Sequence, residues 1–192
     1  VELFGKINSA EEISTIKLLI SSLKSLGKYK ITLSLGRTEP LFAIIDGLDL
    51  SKDDVKKLKK IMSSKSSSDL LDFCKTRKIK GVHYKELNNL ISLHGTNESL
   101  KYLKQHKKKI FQESAKKVEK VIKNLPSSLN YHLDFSDFPG FESHSGLVFS
   151  VHVLGFGFSI AKGGQYKSMQ NHIVREAIGF DVNVSSLTKL NK

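Results

Sequence analysis

Residues 144–166 read HSGLVFSVHVLGFGFSIAKGGQY, and this stretch decides the fold class. Its apolar residues recur at every second position, the period of a strand with one buried face, at Leu147, Phe149, Val151 and Val153. The next segment, Gly155-Phe-Gly157, predicts a hairpin turn, because glycine adopts the backbone angles that tight turns require. A shorter strand is expected at 159–161, so the stretch predicts neighbouring antiparallel strands.

The same pattern continues through the rest of the C-terminal part, residues 124–192. Apolar and aromatic side chains alternate from Tyr131 through Leu133 to Phe135, and a further short strand is expected at 180–184. This part holds seven of the eleven phenylalanines and seven of the thirteen glycines. We therefore predict an antiparallel sheet whose glycines lie at strand ends.

The chain begins with VELF at 1–4, which predicts a strand already under way. We therefore expect an N-terminal part of the fold to be missing. Ser9 and Glu12 have the spacing of a helix capping box, and apolar residues then follow at intervals of three and four. Gly27 is expected to end this helix, because glycine is the commonest residue just after a helix.

Residues 31–35 alternate as a half-buried strand, and Pro40 is tolerated in the first turn of the helix that follows. We predict that 1–48 and 124–192 form one discontinuous α+β domain. The region between them, 49–123, opens with a second helix cap signal, Ser51-Lys-Asp-Asp54, and predicts successive short helices. It is assigned as a lysine-rich helical insertion. Its last helix is expected to run from about 97 to 123, with nine lysines and a thin apolar stripe.

The net charge of +12 is confined to one part of the chain. Residues 1–123 hold 26 Lys and Arg against 14 Asp and Glu, whereas 124–192 hold five of each. Only three of the 31 basic residues are arginine, the side chain whose planar fork suits phosphates and guanines. The charge thus favours a solvated lysine surface over nucleic-acid contact, with an acidic protein partner as a third reading.

Several function classes are excluded by what the sequence lacks. No apolar run approaches the about 18 residues that a membrane span needs. The single Cys74 forms no internal disulfide, which suits a reducing, cytoplasmic compartment, and it is expected to be a small core residue. The seven histidines are scattered and no paired cysteines occur, so we predict no metal site. The Gly155-Phe-Gly157 segment lacks the remaining residues of a nucleotide loop, and no cofactor is expected.

Polar groups gather at three places among the predicted strands. Glu2 alternates with apolar residues in the opening strand, and Glu142 to Ser145 stand in a row inside a glycine-bounded segment. Paired glycines at 163 and 164 follow a strand, with Tyr166 close behind. Taken singly, Glu2 fits a solvated edge and His144 fits a structural histidine. Together they describe a sheet floor ringed by small polar groups, suited to a zwitterionic small molecule.

The order of these segments carries a family resemblance. VELFG, ITLSLGRTEPLFAIIDGL, LDFSDFPGFESHSGLVFSVHV, SIAKGGQY and IGFDVNVSSL follow one another much as in the class II histidyl-tRNA synthetase fold, from its second motif onward. The likeness spans nearly the whole chain. Within that superfamily the chain is most similar to the regulatory subunits of ATP phosphoribosyltransferase. The resemblance implies an antiparallel sheet flanked by helices and interrupted by a helical insertion.

The resemblance also implies a histidine-binding set: Glu2, Glu142, His144, Ser145, Gly146, Gly163, Gly164 and Tyr166. It places neutral residues where a synthetase uses arginine, namely Pro139, Gln165 and the pair Ser185 and Ser186. A neutral group does not reproduce the bidentate, charge-assisted grip of a guanidinium on a triphosphate. We therefore expect no adenylation chemistry and assign no catalytic residue.

The implied function is a non-catalytic regulatory subunit of ATP phosphoribosyltransferase, the first step of histidine biosynthesis, with histidine as allosteric effector. Its implied partner is the short-form catalytic subunit, and we expect a homodimer within a hetero-oligomer, without membrane or nucleic-acid contact. The alternative is a truncated or degenerate histidyl-tRNA synthetase-like protein that handles tRNA or histidine. A third reading is a free sensor of another amino acid.

Overall fold

A computed structural model describes residues 1–27, 30–95, 97–137, 144–170 and 173–190. Six strands form one sheet in the order β1-β6-β5-β4-β2-β3. They are β1 (Glu2–Phe4), β2 (Ile31–Arg37), β3 (Asn130–Leu133), β4 (His144–Val153), β5 (Ala161–Gln170) and β6 (Ile173–Val182). All neighbours are antiparallel except β2 and β3, which run parallel. The sheet is therefore mixed, where the sequence predicted an antiparallel one. The strands β2 and β3 are parallel because the chain returns to the sheet through helices rather than a hairpin.

The strand register gives the sheet two different faces. Directly opposed residues share a face, and residues two apart along a strand share it too. One surface, the polar face, carries Glu2, Thr32, Ser34, His132, Ser150, His152, Lys162 and Tyr166. The other, the apolar face, carries Leu33, Leu35, Phe149, Val151 and Ile178, all of them buried. The apolar face explains why the sequence alternates so regularly.

Eight helices lie among the described residues. They are α1 (Ser9–Leu26), α2 (Glu39–Ile45), α3 (Lys52–Ser64), α4 (Ser67–Thr76), α5 (Gly81–Ser92), α6 (Asn97–Gln105), α7 (Lys109–Lys123) and α8 (Val184–Leu190). The predicted capping box of α1 is shifted by one residue, because Asn8 caps the helix and Glu11 bonds back to its amide. The box of α3, Ser51 with Asp54, forms as predicted.

Helices cover the apolar face of the sheet. Helix α1 contacts β6, and α7 contacts β2, α1 and α2. The buried stripe of α7 includes Phe111, Val118 and Val121, which belong to the same hydrophobic core as the strands. Helices α3–α7 fill the range predicted for an insertion, yet α7 packs within the common core. The boundaries 49 and 123 stay a prediction.

The helix predicted over 97–123 is interrupted at 106–108, between α6 and α7. His106 is fixed there on several sides: its Nδ1 accepts the amide of Lys108 at 3.1 Å, and its Nε2 lies 3.1 Å from Oε1 of Glu86. Its ring stacks on Phe111 at 3.8 Å between centroids. These tertiary contacts stabilise the break, which a count of helical periodicity does not register.

Strands β5 and β6 are longer than predicted, and Gly163 and Gly164 lie inside β5 rather than in a turn. The predicted turn between β4 and β5 forms, with Gly155 at φ +82°. Cys74 is buried, and burial raises the pKa of its thiol, as expected of a core residue. Within the described ranges, no helix has the length and apolar character needed to cross a membrane.

Candidate functional site

The polar face brings together two of the predicted site residues, Glu2 and Tyr166. Tyr166 and Glu2 lie on the same face of the sheet, on either side of β6, near enough for the carboxylate of Glu2 to act on the phenol of Tyr166. Burial raises the pKa of Tyr166, and the neighbouring carboxylate of Glu2 raises it further. The carboxylate of Glu2 can accept hydrogen bonds from an ammonium or an imidazole N–H.

Glycines open the surface beside this pair. Gly179 lies opposite Glu2 on one side and opposite Gly164 on the other, so that both glycines belong to the polar face. A Cβ built on Gly179 would lie 2.5 Å from the carbonyl oxygen of Val1 and 3.0 Å from Cγ of Glu2, so the neighbouring strand leaves room only for glycine. The surface next to Glu2 is therefore bare backbone.

Gly163 serves a different purpose. It lies opposite Phe149 on the apolar face, and a Cβ there would overlap the phenylalanine ring and the carbonyl oxygen of Gly179. The structure therefore places this predicted site residue against the core, away from Glu2 and Tyr166. Alternation along β5 explains the separation, because adjacent residues of a strand face opposite ways.

The start of β4 carries the other predicted residues. The backbone of His144 pairs with Tyr166, and the register then shifts before Val148 pairs with Gly164. This irregularity sets the segment Ser145–Gly146 off the regular ladder. The hydroxyl oxygen of Ser145 is buried and has no hydrogen-bond partner among the described residues. Glu142, the remaining predicted residue, lies outside the described residues, as does the side chain of His144.

Gly146 is held by a residue that the sequence analysis did not single out. Thr38 donates its amide to the carbonyl of Gly146 at 3.0 Å, and its Oγ1 accepts the amide of Gly146 at 2.8 Å. The φ of Gly146 is +147°, and the amide group of Gln165 occupies the space that a Cβ would need. The paired Thr and Gly are 108 positions apart, so no local pattern could reveal the contact.

A second polar cluster lies over the other end of the same face. Lys65 Nζ pairs with Asp134 Oδ2 at 2.7 Å, and Asp134 Oδ1 accepts the amide and hydroxyl of Ser136 at 3.0 and 2.7 Å. Burial by itself would raise the pKa of Asp134. The hydrogen bond and charge of Lys65 and the bonds from Ser136 outweigh it and hold the pKa below its usual value.

Asp137 behaves in the opposite way to Asp134. Burial and the charge of Asp134 raise the pKa of Asp137, and the nearby Lys65, Lys162 and His152 only partly offset them. Burial likewise lowers the pKa values of His132 and His152, whose ring centroids are 6.2 Å apart. Such a cluster can hold or release a proton at the base of the segment that enters β4.

The sequence contained a signal for this cluster that the apolar pattern obscured. Polar residues occupy the alternate positions of the same strands, as in Thr32 and Ser34, or Ser150 and His152. Counting both registers of each strand would have found a polar face. Among the described residues, no three His, Cys, Asp or Glu side chains are grouped so that they could hold a metal ion.

Comparison with known proteins gives consistent results. The family model described as histidyl-tRNA synthetase matches residues 1–187. A curated relative from Caldanaerobacter subterraneus subsp. tengcongensis, "ATP phosphoribosyltransferase regulatory subunit", is 28% identical over 189 residues, which are 96% of this chain and 50% of the relative. The chain thus spans about half the length of the curated relatives it matches.

Solved structures share the fold. A chain from Bacillus halodurans, described as an ATP phosphoribosyltransferase regulatory subunit/histidyl-tRNA synthetase, has a TM-score of 0.83 at 19% identity, over 100% of this chain and 52% of that one. A chain of the ATP phosphoribosyl transferase (HisG:HisZ) complex from Thermotoga maritima has a TM-score of 0.66 at 14% identity, over 94% of this chain and 63% of that one. At these identities the likeness establishes the fold.

Proposed function

Because the chain belongs to the histidyl-tRNA synthetase family, we propose that it acts as a non-catalytic regulatory subunit of ATP phosphoribosyltransferase. In this role it belongs to the first step of histidine biosynthesis, in the cytoplasm, and makes the catalytic short-form subunit respond to histidine. The regulatory name of its curated relatives supports this choice within the family. The proposal includes a homodimer within the hetero-oligomeric complex.

The observation that carries the proposal is the placement of Glu2 and Tyr166 together on the polar face, beside the backbone of Gly164 and Gly179. A carboxylate next to a phenol and two glycines suits a cationic or N–H-bearing ligand such as histidine. The buried hydroxyl of Ser145 adds a hydrogen-bonding group at the edge of the same region. We propose that Glu142, His144 and Gly146 complete the binding set.

The absence of adenylation chemistry is also a proposal. Gln165 stands where the resemblance places an arginine, and its side chain is almost buried against Gly146. Ser185 and Ser186 stand where the resemblance places an arginine that binds ATP phosphates, and the amide of Ser186 donates to Asn183 at the start of α8. None of these groups carries a positive charge, so none replaces a guanidinium against ATP phosphates.

Regulation requires that histidine bind the two states of the complex with different free energies. Equal binding to both states would shift nothing, however tight it was. In the proposed complex the catalytic subunit transfers phosphoribose from phosphoribosyl pyrophosphate to ATP. This chain provides the histidine site and the conformational bias.

The lysine-rich helices give limited support to the tRNA alternative. Several of their lysines are engaged with acidic side chains: Lys104 with Glu119, Lys108 with Glu86, Lys109 with Glu113 and Lys117 with Glu39. A lysine paired in this way neutralises a phosphate only after it leaves its partner. We therefore rank the regulatory role first.

The test combines the protein with the catalytic short-form transferase and measures the rate of phosphoribosyl transfer against histidine concentration. We expect co-elution of the two proteins and inhibition by histidine. Glu2→Gln removes one charged hydrogen-bond acceptor and should raise the half-inhibiting concentration roughly 10- to 100-fold. Glu113→Gln, which changes a partly exposed glutamate on α7, is the matched control and should leave the half-inhibiting concentration unchanged.

Other outcomes separate the readings. No complex with the transferase, together with a steep salt-dependent tRNA shift, would favour the synthetase-like alternative. Heat of binding from another amino acid, with none from histidine, would identify a different sensor.

A further inference from the structure

Thr38 makes a two-point contact with the start of β4. Its amide and hydroxyl both bond to Gly146, at 3.0 and 2.8 Å, and the threonine is fully buried. Two hydrogen bonds to one residue fix its orientation as well as its position. A buried amide that lost them would stay unsatisfied, because water does not reach it.

The hydroxyl of Thr38 does not cap the helix that follows it. Thr38 is the N-cap of α2, a position where a threonine side chain normally accepts an amide of the first helical turn. Here it makes no such bond and accepts the amide of Gly146 instead. Helix α2 therefore has no side-chain hydrogen bond from its N-cap, and the start of β4 is held by the hydroxyl of Thr38 instead.

The surroundings of Thr38 hold this anchor rigidly. Its neighbours Arg37 and Glu39 are joined by a bidentate ion pair, and Arg37 also bonds Glu12 on α1 at 2.8 Å. On the other side of Gly146, the amide group of Gln165 fills the space of the missing Cβ. Gly146 is therefore clamped between Thr38, which follows β2, and Gln165 of β5. It comes directly after Ser145, whose buried hydroxyl has no hydrogen-bond partner in the described part of the chain.

We propose that Thr38 is a positioning residue for the ligand site, because it holds residues 144–146 in the orientation that the ligand meets. The inference rests on the proposed function for the identity of the ligand. The clamp itself is independent of it. Without the clamp the segment samples other orientations, and affinity falls with the population of the competent one.

The experiment compares three variants of the full protein. Thr38→Val keeps the side-chain shape and removes the hydroxyl, whereas Thr38→Ser keeps the hydroxyl and removes the methyl group. Thr15→Val, at a buried threonine on α1, is the matched control. The first measurement is hydrogen exchange of the Gly146 amide without ligand. The second is calorimetric titration of histidine into each variant, with the urea midpoint recorded for each.

We expect the Gly146 amide of Thr38→Val to exchange at least about tenfold faster, and its histidine affinity to fall about tenfold. Thr38→Ser should lie within about threefold of the wild type in both measurements, and Thr15→Val should change neither. If the Gly146 amide exchanged at the wild-type rate in Thr38→Val, the proposal that Thr38 holds Gly146 in place would be wrong. Faster exchange with unchanged histidine affinity would reduce Thr38 to a structural residue.

A wild-type protein that bound no histidine would refute the proposed function and, with it, the ligand role of Thr38. Hydrogen exchange would still decide whether the clamp exists. The two failures are therefore distinguishable.

Discussion

Replacing Arg37 by methionine should destabilise the protein more than any exposed charge change. Arg37 is only 2% exposed and bonds Glu12 and Glu39, each at 2.8 Å. Arg37→Met keeps most of the side-chain volume but leaves Glu12, which is 4% exposed, without its positive partner. One oxygen of Glu12 already has no hydrogen-bond partner among the residues that the structure describes, so its described surroundings offer little compensation.

The expected magnitude follows from this burial. Removing one partner of a buried ion pair costs about 3–5 kcal/mol, because an uncompensated charge stays in the interior. With a urea slope of about 2 kcal/mol per molar, the unfolding midpoint should fall by about 1.5–2.5 M. The slope itself should not change, since the surface exposed on unfolding is the same.

The assay is urea unfolding followed by circular dichroism at pH 7 and again in acid. Burial alone would raise the pKa of Glu39, but the charge and hydrogen bond of Arg37 lower it below its usual 4.5. Its stabilising contribution is present above that value and is lost as the pH falls through the folded pKa. The difference in the free energy of unfolding between the wild type and Arg37→Met should therefore become smaller below about pH 4.5.

Two further variants make the result decisive. Arg77→Met breaks a more exposed pair with Asp54, in which Arg77 is 43% exposed, and should lower the urea midpoint much less than Arg37→Met does. Adding Glu12→Gln to Arg37→Met removes the orphaned charge and should recover at least about half of the loss. A cost for Arg37→Met below about 1 kcal/mol, or equal to that of Arg77→Met, would refute the reasoning.

Three other predictions follow from single contacts. Gly163→Ala should cost about 1–3 kcal/mol in urea unfolding, because its Cβ would overlap the ring of Phe149, whereas Gly157→Ala, in open space, should stay within about 0.5. Cys74 should react with a thiol reagent roughly a hundredfold more slowly in the folded protein than in urea, since burial raises its pKa and blocks access. Asp134→Asn should lower the free energy of unfolding in urea at pH 7 by about 1–3 kcal/mol. The difference from the wild type should vanish as the pH falls below 3.8, because the wild-type carboxylate, whose pKa is lowered in the folded state, then becomes protonated and loses its stabilising contribution.

Local sequence signals accounted for the elements whose cause is itself local. The alternation of 147–153 predicted β4, and the Ser51 box predicted the start of α3. The capping box of α1 was off by one residue, because Asn8 and Ser9 are both good caps and only the backbone geometry distinguishes them. Cys74 was correctly expected in the core.

The errors concern contacts between distant parts of the chain. The parallel pairing of β2 with β3 depends on a path through six helices, α2 to α7. The break at 106–108 depends on Glu86, some twenty positions earlier, and on a stacked ring. Helical periodicity shows which face of a helix is buried, but it does not show which other element that face contacts. It therefore predicts neither the strand pairing nor the break.

The candidate site shows the same division. The resemblance grouped Glu2 with Tyr166, and the structure places both on the polar face, on either side of β6. It also grouped Gly163 with Gly164, although strand alternation sends one to the core and the other to the polar face. The polar cluster around Asp134 and Asp137 was missed, because only the apolar residues of the strands were counted.

The sequence by itself determined the fold class, the family resemblance and the neutral, glycine-rich part that carries most of the candidate site. These follow from periodicity, composition and the order of segments, which are properties of the chain. Only the tertiary structure decided which glycines face the ligand side, which carboxylates are buried, and that Thr38 holds Gly146. Strand register and long-range hydrogen bonds fix these features, and both arise from the packing of residues that are remote in sequence.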